Sequence, residues 1–276
     1  MGDGFFFEGE NGDVERGIRD AGFFGLWLRR PALLHSPPME RPRSPDSLFG
    51  DPPPPPVARR TCPPIPGLYI FPALLPDDIA RQTLRDIGDA DLFAGGTRDQ
   101  VMLFQSPNSS LPAFIHRLLS TLSSLLAPPS PLASPSPLPP HLHPLLFAQP
   151  LPRQAIINLY PAGTGIAPHV DLLRRYADGV VGCSVVGGCV MTFTSTGREH
   201  ERYDVYLPPR SIYILSGPAR WDWTHGIEPR LEDVVERENR HLEGENRHLD
   251  QPETILRDLR LSVTFRWLKP GADVLS

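Results

Sequence analysis

The part of the chain that most constrains its fold begins at Ala155, where short apolar runs alternate with turn residues as far as Trp267. Runs of this length, bounded by glycine, proline, serine and aspartate, predict β-strands rather than helices. No long helical pattern separates them, and such a series is typical of an all-β sandwich or jelly roll. The predicted strands lie near residues 155–160, 167–171, 180–186, 189–194, 203–207, 211–215, 222–225 and 259–267.

One further strand and two helices are predicted ahead of that series. The strand spans Gly67 to Phe71. A helix is expected from Leu75 onward, because a proline and two acids stand at its positively polarised start. A second, amphipathic helix is predicted from Leu111 to Leu126, where large apolar residues recur at helical spacing. The domain is therefore predicted to be mainly β, with flanking N-terminal helices.

Proline marks the expected boundaries of the domain. It supplies 35 of 276 residues, about 13% against a usual share of about 5%, and it is clustered. Residues 1–64 are predicted to be a disordered Pro/Arg-rich tail, and residues 65–276 to be the folded domain. The proline run at 52–56 is a candidate ligand for the aromatic groove of a partner, or alternatively a spacer.

Two low-complexity segments interrupt the predicted domain. Residues 127–140 are expected to form a Pro/Ser-rich loop, with His141 and His143 as loop residues at its end. Residues 228–257 are a charged insertion that contains a tandem seven-residue repeat, and they are expected to form a solvated helix or loop.

Charge and cysteine content exclude several classes of protein. The net charge of −5 rules out a global basic field, so nucleic acid would have to be held by a local patch. Three cysteines without CxxC spacing argue against a disulfide scaffold or a zinc site, and indicate a reducing compartment. The apolar run from Ala21 to Leu28 is too short to span a bilayer, and no signal-peptide pattern is present. We expect a protein of the cytoplasm and/or nucleus with no membrane partner.

The first residues that indicate chemistry are His169 and Asp171, which stand two positions apart in a predicted strand. Side chains at that spacing project from the same face of a strand. A second histidine beside them would place two imidazoles and one carboxylate on one side of a metal. That facial set leaves open coordination positions and suits non-haem Fe(II) oxygen chemistry. Taken alone, the pair is equally an incidental feature of a surface or turn.

Two later segments supply the missing partners. His225 lies in an aromatic segment, where a hydrogen-bonded core histidine is the simpler interpretation. Residues 260–267 alternate strictly, with Arg, Ser, Thr and Arg on one face and Leu, Val, Phe and Trp on the other. An edge strand with a wet face explains this pattern. Alternatively, the polar face lines an internal anion site, where an arginine fork holds a carboxylate through two parallel hydrogen bonds.

Together these segments form the pattern Asn-x-Tyr-x-x-Gly-x-Gly-Ile-x-x-His-x-Asp from Asn158, then His-Gly-Ile from His225, then Arg-x5-Arg from Arg260. The pattern resembles that of the AlkB-like 2-oxoglutarate/Fe(II)-dependent dioxygenases, over about residues 67–269. The resemblance implies a double-stranded β-helix (jelly roll) fold. It also implies an enzyme that requires Fe(II), the co-substrate 2-oxoglutarate and O2.

The resemblance also assigns roles to residues. It implies that His169, Asp171 and His225 are the iron ligands and the catalytic centre. Arg260 resembles the arginine that pairs with the distal carboxylate of 2-oxoglutarate, and Arg266 resembles the second arginine, near the proximal end and the substrate pocket. The remaining residues implied to contact the co-substrate are Asn158, Tyr160, Ser262 and Thr264. Some family members carry asparagine where Ser262 stands.

Within this family, the segments at 209–211 and 223–230 are most similar to the tRNA wobble-uridine hydroxylase branch. The chain is too short to contain the RNA-recognition and methyltransferase domains of that branch. The resemblance implies oxidation of nucleobases in RNA (tRNA) or DNA, and therefore nucleic acid demethylation, tRNA modification or DNA repair. Hydroxylation of a carbon bound to a base nitrogen releases an aldehyde, whereas hydroxylation of a carbon side group gives the final product.

Candidate substrate contacts are basic residues near the predicted iron site. Residues 95–104 stand where family members place a substrate lid, and Arg98 within them is a candidate contact to phosphate or base. A surface hairpin explains the same segment. Arg174 and Arg175 follow the iron-binding strand and would add a local basic rim. The expected partner is RNA or single-stranded DNA, because a base within a duplex would have to be flipped out.

Two other functions fit the same motifs. One is an oxygenase that acts on a protein or a small molecule, since a metal site does not define what is oxidised. The other is a catalytically silent binding module on the same fold. The complete ligand set and both arginines favour an enzyme over a silent module.

Overall fold

The computed structural model describes residues 56–106, 109–128, 138–198, 200–238 and 251–272. Most of the predicted tail, the middle of the Pro/Ser-rich loop and most of the tandem repeat lie outside these ranges, so the predictions made for them stay predictions. The same holds for a partner of the proline run.

The chain packs against the domain from Ala58, earlier than the boundary predicted at residue 65. Ala58 is fully buried and forms a β-bridge with Val235. Its small apolar side chain completes a buried cluster with Val190 and Tyr206. The last residues of the predicted tail are therefore part of the fold.

Most described strands belong to two antiparallel sheets. The larger sheet has six strands in the order β1-β8-β5-β12-β3-β2. Its strands are β1 (Leu68–Phe71), β2 (Gln100–Phe104), β3 (Arg153–Tyr160), β5 (Val180–Val186), β8 (Ile212–Leu215) and β12 (Arg260–Trp267). The smaller sheet has four strands in the order β4-β9-β6-β7. Its strands are β4 (Ile166–His169), β6 (Cys189–Ser195), β7 (Arg202–Leu207) and β9 (Trp223–Ile227).

The hydrophobic core lies between the two sheets. The larger sheet contributes Leu68 and Leu215 to it, and the smaller sheet contributes Phe193, Leu207 and Trp223. Alternating side chains of each strand point into this layer, which is the arrangement that two facing sheets require. The predicted jelly roll of antiparallel strands is therefore confirmed.

The flanking helices are α1 (Asp77–Asp89), α2 (Ala113–Leu125), α3 (Leu142–Phe147) and α4 (Pro218–Trp221). The first two confirm the predicted helices. The prediction of a loop around His143 is wrong, because Leu142 and Leu146 are buried on one side of α3 and fix it as a helix. His143 Nε2 lies 3.0 Å from the backbone oxygen of Ser123.

The described ends of the charged insertion form a two-stranded hairpin rather than a helix. Its strands are β10 (Glu232–Val235) and β11 (Glu253–Leu256). Arg257 anchors this hairpin through a buried fork to both carboxylate oxygens of Asp233, at 2.7 and 2.8 Å. Within the described ranges, no helix has the length and apolar character needed to cross a membrane.

Candidate active site

One pocket is lined by residues from the polar face of the larger sheet and by residues of the smaller sheet. The register of β3 and β12 places Asn158 opposite Ser262 and Tyr160 opposite Arg260. Residues directly opposite each other in an antiparallel pair share a face. All nine residues predicted to bind metal or co-substrate line this pocket: His169, Asp171, His225, Asn158, Tyr160, Arg260, Ser262, Thr264 and Arg266.

Strand pairing brings the two histidines together. His169 and His225 are register partners on β4 and β9, and their ring centroids are 4.5 Å apart. One ligand atom from each histidine and one from Asp171 all lie within 4.8 Å of one another. This triad is the only group of at least three His, Cys, Asp or Glu residues with metal-binding spacing among the described residues.

Glycines allow β4 and β9 to approach this closely. A Cβ atom on Gly165 would stand 2.0 Å from the backbone oxygen of Ile227, and one on Gly226 would stand 2.9 Å from Cα of Pro168. Both distances are below ordinary van der Waals contact, so larger residues would separate the strands. The glycines of the Gly-Ile and His-Gly-Ile motifs therefore set the spacing of the two imidazoles.

A backbone contact orients one imidazole, and burial keeps the other uncharged. Nδ1 of His169 lies 2.9 Å from the backbone oxygen of Ala167 and donates to it, because a carbonyl oxygen accepts only. Nε2 of His169 is then the atom that faces a metal. Burial lowers the pKa of His225 to about 4, so this ring is uncharged at neutral pH.

Asp171 presents a buried carboxylate with unsatisfied oxygens. It is 3% exposed, and neither oxygen has a hydrogen-bond donor among the described residues. Nη1 of Arg266 lies 2.7 Å from Oδ1 of Asp171, but the angle does not make a hydrogen bond. Arg266 already supplies one positive charge, and the carboxylate oxygens, which accept no hydrogen bond among the described residues, keep lone pairs available to a metal cation.

Arg260 forms the other end of the pocket. It is 3% exposed, and it donates from Nη2 to Ser184 Oγ at 2.9 Å and from Nη1 to Ser262 Oγ at 3.3 Å. No carboxylate pairs with it within the described ranges, and its Nε has no acceptor there. Burial raises the pKa of Tyr160 to about 12, so its hydroxyl stays protonated and is able to donate. A buried guanidinium without a counter-ion fits a carboxylate ligand.

These features test whether the chain fits Fe(II) and 2-oxoglutarate. Two imidazoles and one carboxylate, whose oxygens accept no hydrogen bond among the described residues, match the facial donor set of non-haem Fe(II) oxygenases. An unpaired buried arginine across the same pocket matches one carboxylate of a dicarboxylate. The residues present therefore fit both groups.

Arg220 was not identified as a functional residue from the sequence. It holds the segment that follows Asp171. Its side chain is 1% exposed and donates to three backbone oxygens, those of Asp171 (3.0 Å), Tyr176 (3.2 Å) and Ala177 (3.4 Å). The guanidinium thereby fixes the backbone from which the Asp171 carboxylate projects. Its neighbours in sequence, with Asp222 two positions later, offer no signal of this role.

Replacing Arg220 with methionine is expected to lower the free energy of unfolding by at least about 3 kcal/mol, because three buried carbonyl groups lose their donor. Urea unfolding followed by circular dichroism measures this change. Arg198→Met is the matched control, since its ion pair with Glu201 is at the surface and its loss should cost less than about 1 kcal/mol. Equal losses in the two variants would contradict the anchoring role.

The three predicted substrate arginines lie outside this pocket. Arg98 is exposed in the turn before β2, and Arg174 is exposed in the loop after Asp171. Arg175 is partly buried, and its guanidinium lies 5.6 Å from the ring centroid of Phe104. Within the predicted lid segment, residues 100–104 form the edge strand β2, which pairs with β3, and residues 95–96 belong to a short 3-10 helix.

Comparison with known proteins defines the class of this chain. The profile of the 2OG-Fe(II) oxygenase superfamily matches residues 105–266, which is more than half of the chain. The chain therefore belongs to the 2OG-Fe(II) oxygenase superfamily, whose members are 2-oxoglutarate-dependent dioxygenases that use Fe(II), 2-oxoglutarate and O2.

Among its relatives, the tRNA (carboxymethyluridine(34)-5-O)-methyltransferase alkbh8 of Xenopus tropicalis is 37% identical over 116 residues, 42% of this chain and 18% of that protein. The uncharacterised protein L905 of Acanthamoeba polyphaga mimivirus is 35% identical over 115 residues, 42% of this chain and 48% of that protein. These matches confirm the AlkB-like resemblance, and they span about half or less of the length of each relative. A crystal structure of a Pseudomonas putida prolyl-4-hydroxylase aligns with a TM-score of 0.43 and 15% identity, covering 74% of this chain and 94% of that one.

Proposed function

We propose that this chain is an Fe(II)/2-oxoglutarate-dependent dioxygenase that oxidatively dealkylates or hydroxylates nucleobases in RNA, tRNA included, or in DNA. One observation carries the oxygenase part of the proposal. The buried carboxylate of Asp171, whose oxygens accept no hydrogen bond among the described residues, lines the same pocket as two imidazoles and the buried guanidinium of Arg260. The proposed compartment is the cytoplasm and/or the nucleus.

Each residue of the pocket has a distinct task in this proposal. His169, Asp171 and His225 hold Fe(II) by three positions on one side. Arg260 binds the distal carboxylate of 2-oxoglutarate, while Arg266 orients Asp171 from 2.7 Å. When bound, Fe(II) and 2-oxoglutarate consume O2, give succinate and CO2, and supply the oxidising equivalent that hydroxylates a C–H bond of the substrate.

The remaining co-substrate residues shape the pocket around that centre. Asn158 is oriented by Gln100, whose Nε2 donates to its Oδ1 at 2.7 Å. Thr264 lies 3.4 Å from the hydroxyl of buried Tyr213. Together with Ser262 and Tyr160, these residues line the pocket with polar groups. Such a lining is suited to hydrogen-bonding a bound dicarboxylate while admitting little water.

Exposed apolar side chains on β2 and directly after Asp171 in the chain support a nucleic acid substrate. Met102 on β2 is 50% exposed, and Leu172 and Leu173 directly after the triad are 63% and 49% exposed. Arg174 and Arg175 continue the same loop. Apolar side chains next to arginines match single-stranded nucleic acid, whose bases stack while its phosphates attract cations. The similarity to a protein named as a tRNA methyltransferase supports the same substrate class.

The proposal is tested by incubating the protein with Fe(II), 2-oxoglutarate and O2 together with methylated single-stranded DNA, methylated RNA or total tRNA. Mass spectrometry of digested nucleosides is expected to show loss of an alkyl group or gain of one oxygen in at least one sample. His169→Ala serves as the inactive control. Unchanged nucleosides in all samples, with robust succinate formation on a protein extract, would favour an oxygenase of proteins. A protein that forms no succinate under any condition would be a silent binding module.

A further inference from the structure

Gln154 on β3 is a buried amide without hydrogen-bonding partners. Its side chain is fully buried, and neither Oε1 nor Nε2 has a partner among the described residues. Gln154 lies on the same face of β3 as Asn158 and Tyr160, since these positions differ by even numbers. It therefore points toward the layer that contains the candidate active site, at the end of β3 opposite to Tyr160 and Arg260.

Two cross-strand neighbours place Gln154 beside the metal triad. Its register partner on β12 is Arg266, and its register partner on β2 is Phe104, so the three side chains form a row across the sheet. Arg266 reaches Asp171 through Nη1, but its Nε has no acceptor among the described residues. The row thus contains an unpaired amide and an unpaired guanidinium N–H next to an aromatic ring.

Arg175 covers this row from the loop that follows the triad. Its guanidinium carbon lies 5.6 Å from the ring centroid of Phe104 and 5.9 Å from that of Tyr176. Its Nε and Nη2 are buried and have no acceptor among the described residues. No carboxylate of the described chain pairs with Arg175. The guanidinium of Arg175 contacts the two aromatic rings. Such contacts are weak enough for a ligand to replace them.

Unpaired buried polar atoms are rare in folded proteins, and a cluster of them next to a reaction centre calls for a ligand. In this row donors outnumber acceptors. Nε of Arg266, Nε and Nη2 of Arg175 and Nε2 of Gln154 all donate, whereas Oε1 of Gln154 is the acceptor. The complementary ligand is a planar group whose edge is rich in carbonyl oxygens and carries at most one donor.

Resting on the proposed action on nucleobases, we propose that Gln154, Arg266 and Arg175 form a subsite that selects bases with a carbonyl-bearing edge. Phe104 is the ring on which the base stacks once the guanidinium of Arg175 turns from that ring toward the edge of the base. The amide of Gln154 is the residue that determines specificity, because it is the neutral group that both donates and accepts. Adenine, which bears no carbonyl and whose N6 amine donates, would match the donors of the subsite less well.

The test uses Gln154→Met, which keeps the volume of the side chain and removes the amide. Binding of two short single-stranded RNA oligonucleotides, with 3-methyluridine or 1-methyladenosine as the central base, is measured by fluorescence anisotropy. Fe(II) and 2-oxoglutarate are present without O2, so that no turnover occurs. The native protein is expected to prefer the methyluridine oligonucleotide. Gln154→Met should weaken that binding about tenfold, the effect of losing one buried hydrogen-bonded partner, and leave the methyladenosine oligonucleotide nearly unaffected.

Thermal melting separates recognition from a structural role. Since the amide of Gln154 is unpaired, Gln154→Met should melt at the native temperature or above it. The matched control is Gln149→Met, because Nε2 of Gln149 donates to the backbone oxygens of Leu145 and Asp178. Its loss should lower the melting temperature by about 2–4 °C without changing the preference between oligonucleotides.

Each other outcome overturns the inference in a distinguishable way. A Gln154→Met variant that melts as low as Gln149→Met would show an amide satisfied inside the fold, by buried water. Oligonucleotide binding that is indifferent to Gln154→Met would overturn the subsite and leave the action on nucleobases standing. Native protein that forms succinate but binds neither oligonucleotide would overturn both proposals together.

Discussion

Replacing His169 with alanine is expected to abolish succinate formation and to weaken Fe(II) binding by more than about 100-fold. Loss of a residue that only orients a ligand already costs about 10–100-fold in metal affinity, so loss of a ligand costs more. The fold should survive, because the ring of His169 donates only to the nearby backbone oxygen of Ala167. Anaerobic equilibrium dialysis against Fe(II) in the presence of 2-oxoglutarate measures the affinity, and circular dichroism measures the fold.

His116→Ala is the matched control for this variant, since His116 lies on α2 and outside the pocket of the triad. It should bind Fe(II) as the native protein does. Native affinity in His169→Ala would show that the metal, if it binds, is held elsewhere. Equal losses in both variants would indicate a general effect of removing a histidine.

Replacing Arg260 with methionine is expected to raise the 2-oxoglutarate concentration needed for half-maximal binding by about 100-fold. Removing one partner of a buried, hydrogen-bonded charge pair costs about 2–5 kcal/mol, and 2.7 kcal/mol corresponds to about 100-fold. The ligand-free protein should lose no stability, since the buried guanidinium has no counter-ion among the described residues. Isothermal titration with 2-oxoglutarate and thermal melting measure the two effects.

The matched control is Arg153→Met. Arg153 is also buried, but it lies on the opposite face of β3, donates to the backbone oxygen of Leu146 and stacks 3.5 Å from the ring centroid of Trp267. This variant should lose stability and keep its affinity for 2-oxoglutarate. Arg260→Lys should bind more weakly than the native protein, because lysine carries the charge without the fork. Unchanged co-substrate affinity in Arg260→Met would refute the assignment of Arg260.

Strands whose polar and apolar residues alternate were predictable from sequence, whereas pairings between distant segments were not. β12 was visible because its polar and apolar residues alternate without a break over Arg260–Trp267. The hairpin of β10 and β11 was missed, since its two strands are separated by a charged repeat and expose much of their surface. Helix α3 was missed because it has only six residues and directly follows the Pro/Ser-rich segment.

The same distinction applies to the candidate site. The spacing of His169 and Asp171 is informative by itself, because it places two side chains on one face of a strand. The roles of Arg220 and Gln154 depend on their surroundings in the folded chain. Arg220 meets carbonyl groups more than forty residues away, and Gln154 is notable only because it is buried without partners. No local pattern distinguishes such residues from ordinary surface arginines and glutamines.

Because His169 and His225 pair across two neighbouring strands, the supply of iron would affect the lifetime of the protein as well as its catalytic activity. A ligand that binds only the folded state adds free energy by mass action, about 2.7 kcal/mol at a free concentration 100 times its dissociation constant. A metal held between β4 and β9 would fasten the smaller sheet where glycines leave it narrowest. In an iron-starved cell the chain would unfold more often and become a better substrate for proteases, so that its abundance would follow the metal on which it depends.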